Sequence, residues 1–175
     1  QVTRFKPGDL VVVNPSVSCG TCDQCQLGHF HTCREVRFLG CPDQLEGCLC
    51  DLLAMPENCC YSARGLTADQ AALVEPLSIG YYAVQLSGDL KDSKIGILGS
   101  GPIGLSVLLS ARIAGASTIY VTDRLDYRLE AALQQGAADG AHGRLDQAPL
   151  FIVGLDAHAF GQDVVDRVDL GLDLA

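Results

Sequence analysis

The sequence predicts an α/β protein in two parts, a β-rich front lobe organised around a metal-binding loop and a partial parallel-sheet domain behind it. Three observations predict this. All nine cysteines lie between positions 19 and 60, four of them regularly spaced. After Lys94, short apolar strands alternate with helical stretches, and a glycine-rich turn joins the first of these strands to the first of these helices.

Composition bounds the reading before any motif does. The 175 residues are 48% hydrophobic and 19% charged, the profile of a core-forming chain and not of a disordered one. Twelve Lys and Arg against 21 Asp and Glu leave a formal charge of −9, so the surface repels phosphate backbones and anionic membranes. Nucleic acid and membrane are therefore not expected as partners. The longest apolar candidate, Leu105 to Ala116, is interrupted by Ser106, Ser110 and Arg112 and falls short of a membrane span. The chain opens on Gln1, contains the single methionine Met55 and has no secretory signal, so it is expected to begin inside a longer sequence. An odd number of cysteines without a signal peptide points to thiolates in a reducing, cytoplasmic compartment and not to a disulfide framework.

Taken in order, Pro7-Gly8 reads as a turn feeding a short strand at Leu10-Val-Val-Val13. Ser18 to Thr32 has no apolar period and reads as a loop folded around a metal. From Leu66 to Gly88 the pattern is helical, with Thr67 and Gln70 spaced as a capping box. Pro76 is expected to divide that stretch into helices at Ala68–Val74 and Leu77–Leu86, with the break beside Glu75. Ile95 to Leu98 reads as a buried parallel strand, Gly101 to Ala114 as a helix, Ser117 to Thr122 as a strand, and Asp126 to Gln135 as a helix ending at Gly136. Phe151 to Val153 reads as a further strand and Gly161 to Leu170 as a helix. The expected division is 1–75, with the metal lobe at 18–34, and 76–175.

Cys19, Cys22, Cys25 and Cys33 are spaced so that four thiolates can converge on one Zn²⁺ at about 2.3 Å, a complete shell that leaves no open position. Such a zinc is structural, and in isolated peptides it supplies roughly 10–16 kcal/mol of apparent binding free energy. An iron–sulfur cluster is the rival. The bacterial ferredoxin run closes with a gap of three and a proline, whereas here seven residues intervene and Arg34 follows. His29 and His31 lie within the loop, but four sulfurs leave them no vacancy. The remaining Cys41, Cys48, Cys50, Cys59 and Cys60 read as small buried hydrophobes.

Gly99-Ser-Gly101-Pro102-Ile103-Gly104 follows a strand and opens a helix, which makes it a dinucleotide fingerprint. Gly99 permits the turn, Gly101 lets the backbone approach a pyrophosphate, and Gly104 allows close packing of helix on strand. Asp123, 19 residues beyond Gly104, is placed to accept both adenosine ribose hydroxyls and to repel a 2′-phosphate, which favours NAD over NADP. Arg124 tempers that preference, and Ser100 reads as filler within the turn. Glu75 stands in the apolar run Ala71-Ala-Leu-Val-Glu-Pro-Leu77, either as a helix-end hydrogen-bonding acid or as a metal ligand.

These residues together resemble the zinc-dependent medium-chain dehydrogenase/reductase (alcohol dehydrogenase) family. The likeness runs from Phe5-Lys-Pro-Gly-Asp9 through Cys19 to Cys33, Glu75-Pro-Leu-Ser78, Gly99 to Gly104 and Asp123 to Gly136-Ala137, about three quarters of the chain. It implies a GroES-like catalytic domain in front of a Rossmann domain, both incomplete. It also implies Cys19, Cys22, Cys25 and Cys33 as structural zinc ligands, and NAD held by Gly99, Gly101, Pro102, Ile103, Gly104 and Asp123, with Arg128 at the adenosine ribose. Glu75 in place of a cysteine is similar to the sorbitol and polyol branch, where that glutamate sits at a catalytic zinc directly or through water. The implied activity is NAD-linked oxidation of a secondary alcohol or polyol, such as sorbitol or xylitol, to a ketone by a dimer or tetramer. The family's catalytic zinc also needs a cysteine and a His-Glu pair ahead of Phe5, so the 175 residues alone are expected to be inactive. The competing expectation is a non-enzymatic, zinc-stapled NAD-binding module.

Overall fold

A computed structural model of the chain describes residues 2–141 and 151–154. The chain divides into two compact units, Gln1–Glu75 and Pro76–Ala175.

In the first unit, β1 (Val11–Val13) pairs antiparallel with β4 (Cys60–Ser62), and β2 (Ser16–Val17) pairs antiparallel with β3 (Arg37–Phe38). Between β2 and β3 lie the single-turn helix α1 (Asp23–Gln26) and a 3₁₀ turn at Phe30–Thr32. The expected metal loop thus contains two helical turns. Buried apolar side chains are few among the described residues of this unit: Cys25, Cys33, Cys59, Ala63 and Ala71. Two of the five are candidate metal ligands, so cross-linking by a metal takes the place that apolar burial holds in a larger domain.

Helix α2 (Ala68–Leu86) opens with the expected capping box. Thr67 N–H donates to Gln70 Oε1 at 2.9 Å, and Gln70 N–H donates to Thr67 Oγ1 at 3.2 Å. The expected break at Pro76 is corrected: one continuous helix of 19 residues runs through it. A proline inside a helix costs about 3 kcal/mol. Here the turns that follow it are held from outside, because Ser106 Oγ donates to the Pro76 carbonyl at 3.0 Å and Gly80 lies against Ser106.

The second unit is a four-stranded, all-parallel sheet in the order β7-β6-β5-β8, formed by β5 (Lys94–Leu98), β6 (Thr118–Thr122), β7 (Asp139–Ala141) and β8 (Phe151–Gly154). Helices α3 (Pro102–Ile113) and α4 (Asp126–Gln134) make the crossovers from β5 to β6 and from β6 to β7. In sequence order the strands read 3-2-1-4, the arrangement of a Rossmann half, which places the point where the strand order reverses at the carboxyl end of β5. The core is built where apolar runs meet: Ile95 and Ile97 on β5, Val107 and Leu108 on α3, and Ile119 and Val121 on β6 are all buried. The expected strand at Phe151 is present, while the expected helix at Gly161–Leu170 lies outside the described residues. Among the described residues, no helix is long and apolar enough to cross a membrane.

Candidate functional site

The front unit gathers Cys19, Cys22, Cys25 and Cys33 so that their four Sγ atoms all lie within 4.8 Å of one another. Among the described residues this is the only group of three or more side chains arranged to hold a metal. Cys19 and Cys22 stand on either side of the Gly20-Thr21 turn, where Gly20 takes a φ of +76°. Cys25 projects from α1 and Cys33 follows the 3₁₀ turn. Two opposite pairs, Cys19–Cys25 and Cys22–Cys33, are each separated by 3.9 Å. A regular tetrahedron of sulfurs at about 2.3 Å from zinc has edges of about 3.8 Å, so the quartet fits one tetrahedral ion. The same spacing is far too long for disulfide bonds of about 2.05 Å, and none of the nine cysteines is paired.

Backbone donors prepare these sulfurs for negative charge. Cys19 Sγ accepts from the N–H groups of Thr21 at 3.5 Å and Cys22 at 3.4 Å, and from the Thr21 hydroxyl at 3.6 Å, while Cys33 Sγ accepts from Cys19 N–H at 3.2 Å. The Thr21 amide and hydroxyl, followed by the Cys22 amide, pull the Cys19 thiol down to about 6. The backbone N–H groups of Arg34 and Cys25 lower that of Cys22. Burial, then the neighbouring sulfurs, push Cys25 up to about 12. Four thiolates this close repel one another, and a divalent cation is the partner that lets all four ionise. Beside them Arg34 grips Asp23, holding its carboxyl down at about 2. His29 and His31 stay outside the quartet.

The other cysteines correct the sequence reading. Cys59 is buried, but Cys41 and Cys60 are half-buried and Cys48 and Cys50 are exposed. Their segment packs against little: Leu49 and Leu52 are 104% and 92% exposed, so no local core is available to cover the thiols.

In the second unit, Gly99, Gly101, Pro102, Ile103, Gly104, Asp123 and Arg128 all line one cleft of about 240 Å³ at the carboxyl end of β5. The glycines differ in what they do there. Gly99 has a φ of +92°, which a side chain would strain. A Cβ on Gly104 would lie 1.9 Å from the Gly99 carbonyl oxygen, so only glycine lets α3 start this close to its strand. A Cβ on Gly101 would meet nothing nearer than Arg128 Nη1 at 3.6 Å. Its bareness leaves the backbone open to a ligand without relieving any contact inside the protein. Gly101 also caps α3 without a side chain, and Pro102 takes the first turn, so the amide end of the helix faces the cleft.

Asp123 sits just past β6. Its Oδ2 accepts from Ser100 N–H at 2.9 Å and its Oδ1 from the N–H groups of Arg124 at 2.7 Å and Leu125 at 3.1 Å. Arg128 Nη1 stands 3.6 Å from the same carboxylate, and Arg128 Nε donates to Tyr127 Oη at 3.2 Å. Burial works against the charge of Asp123. The Ser100, Leu125 and Arg124 amides together with the Arg128 guanidinium outweigh it, leaving the carboxyl below its ordinary value. Ser100 is therefore not filler: it is 1% exposed and ties the glycine turn to Asp123. The only sequence signal for this was a small polar residue inside a glycine run.

Glu75 lies in the middle of α2, exposed and outside the sulfur quartet, not at a helix end.

Comparison with known proteins agrees with this geometry. Residues 1–65 match the alcohol dehydrogenase GroES-like domain. Over 137 residues the chain is 39% identical to sorbitol dehydrogenase of Bacillus subtilis, covering 78% of this chain and 38% of the relative. It is 40% identical over 131 residues to L-arabinitol 4-dehydrogenase of Aspergillus niger, covering 75% and 34%. Among solved structures, a Sinorhizobium meliloti protein described as a zinc-binding dehydrogenase bound to NADP superposes with a TM-score of 0.75 at 32% identity, over 81% of this chain and 41% of that one. The chain belongs to the zinc-type alcohol dehydrogenase family, and it spans about two fifths of the length of the relatives it matches.

Proposed function

We propose that this chain supplies the structural zinc lobe and the pyrophosphate-and-adenosine half of the cofactor site to an NAD-linked, cytoplasmic oxidation of a secondary alcohol of the polyol class to a ketone. The observation that carries this reading is the single cleft in which the bare Gly101 backbone, the amide end of α3 and the Asp123 carboxylate face the same space. The polyol class rests on likeness to the sorbitol and L-arabinitol enzymes.

A bound dinucleotide supplies the hydride acceptor; the residues of this chain bind and orient it. The amide groups at the start of α3 attract the pyrophosphate, and Gly101 lets it come close. Asp123, already ionised and braced by Ser100, offers oxygens to a ribose diol and repels a 2′-phosphate. Arg128 stands beside it at the adenosine end. Cys19, Cys22, Cys25 and Cys33 would hold a zinc with their four sulfurs, shaping the lobe and leaving no position open for chemistry. Glu75 is the candidate carboxylate for a catalytic zinc. Among the described residues Glu75 belongs to no group of three or more side chains arranged to hold a metal, which supports the reading that these 175 residues bind cofactor without turning over alcohol.

The test is a titration of the purified chain with NADH and NADPH, followed by an assay for sorbitol-dependent NADH formation. The reading predicts saturable binding that favours NADH, with no turnover. Absence of dinucleotide binding overturns the cofactor role, and measurable sorbitol oxidation overturns the division of labour.

A further inference from the structure

Two residues that immediately follow metal ligands hold each other. Asp23 follows Cys22 and Arg34 follows Cys33. Arg34 donates from Nε to Asp23 Oδ1 and from Nη2 to Asp23 Oδ2, each at 2.6 Å, a two-pronged fork on one carboxylate. The two ligands that precede them also meet, the Cys22 and Cys33 sulfurs standing 3.9 Å apart. Gln24 Nε2 steadies the carboxylate from the other side, donating to Asp23 Oδ2 at 3.2 Å.

We propose that the Asp23–Arg34 fork is a positioning clasp, which holds the Cys22 and Cys33 thiolates on one edge of the metal site and so slows release of the ion. A four-coordinate ion leaves after one thiolate swings away, and recapture is faster when the chain keeps that thiolate near. Without the fork, the segment from Cys22 to Cys33 must close as a free loop each time, at an entropic cost. Both side chains are more than half exposed. Water and salt therefore weaken the pair, and the effect is a few-fold change in rate, not the presence or absence of the site. The proposal rests on the lobe being a zinc site.

The experiment loads the full chain with one zinc and follows transfer of the metal to an excess of a chromophoric chelator at low ionic strength. Asp23→Asn and Arg34→Gln each release zinc about three- to fivefold faster than the wild type. The double variant is no faster than either single one, because both remove the same link. Arg34→Lys keeps the charge but not the fork and behaves like Arg34→Gln. The exchanged pair Asp23→Arg with Arg34→Asp returns the rate toward the wild type. Single variants that release zinc at the wild-type rate, or a double variant whose effect is the product of the two, overturn the clasp. If a single variant fails to load, the exchanged pair decides: slow release supports the clasp, and failure to load overturns it. A wild-type chain that takes up no zinc overturns the zinc reading of the lobe, and this proposal with it.

Discussion

The backbone N–H of Ser100 donates to the Asp123 carboxylate at 2.9 Å, bridging 23 residues between the glycine turn and the end of β6. The group that would grip a pyrophosphate and the group that would read a ribose are thereby one rigid assembly. Asp123→Ala removes the acceptor of the Ser100, Arg124 and Leu125 amides together with the charge that repels a 2′-phosphate. NADH binding is expected to weaken by about tenfold or more, with a smaller loss for NADPH, so that the preference between them narrows. Fluorescence titration with both nucleotides measures this, and an unchanged ratio contradicts the assignment.

The charge state of Asp123 sets a pH window. Burial opposes ionisation, but the surrounding amides and Arg128 hold the carboxyl below its ordinary value. A depressed carboxylate contributes fully above the ordinary carboxylate pKa of about 3.9 and loses its contribution as pH falls through the lower folded value. Dinucleotide affinity is thus expected to stay flat from about pH 8 to about pH 5 as far as Asp123 governs it. A midpoint in that interval that disappears in Asp123→Asn contradicts the account.

Gly104 is the tightest point of the cleft, with no room for a Cβ beside the Gly99 carbonyl. Gly104→Ala is expected to cost about 1–3 kcal/mol of stability by urea denaturation and to abolish measurable dinucleotide binding, because α3 must move off its strand. Gly101→Ala separates the two effects. Its Cβ meets no protein atom closer than 3.6 Å, so stability is kept while binding falls.

Gly80 lets α2 approach α3. A Cβ there would stand 2.5 Å from Ser106 and from the Val107 nitrogen. Gly80→Ala is expected to destabilise the chain by about 1–3 kcal/mol, read as a lower urea midpoint, without changing zinc content.

Removing zinc should alter thiol reactivity in a counted way. With metal bound, Cys19, Cys22, Cys25 and Cys33 are masked and Cys59 is buried, leaving Cys41, Cys48, Cys50 and Cys60 to react rapidly with an alkylating reagent. Chelation is expected to unmask the half-buried Cys19 and Cys22 and so raise the fast-reacting count from four to six, both added sites mapped by mass spectrometry, while Cys25 and Cys33, buried like Cys59, stay slow.

Much of this architecture is legible in the residue order because its signals are local. Ligand spacing, the Thr67–Gln70 box and the strand–glycine–helix sequence each depend on a few neighbouring positions, and each is found in place. What stays hidden depends on distant partners. Pro76 suggests a break by its own chemistry, whereas the helix continues through it and its carbonyl is met by Ser106, 30 residues further along the chain. Ser100 has no signal of its own until β6 brings Asp123 to its amide. Cys48 and Cys50 carry the composition of a core, yet nothing packs over them.

The most direct test of the central claim is zinc-edge X-ray absorption on the purified chain. One zinc per chain ringed by four sulfur scatterers at about 2.3 Å is the predicted result. A shell containing nitrogen or oxygen, a metal–metal vector, or a chain that carries no metal would contradict it.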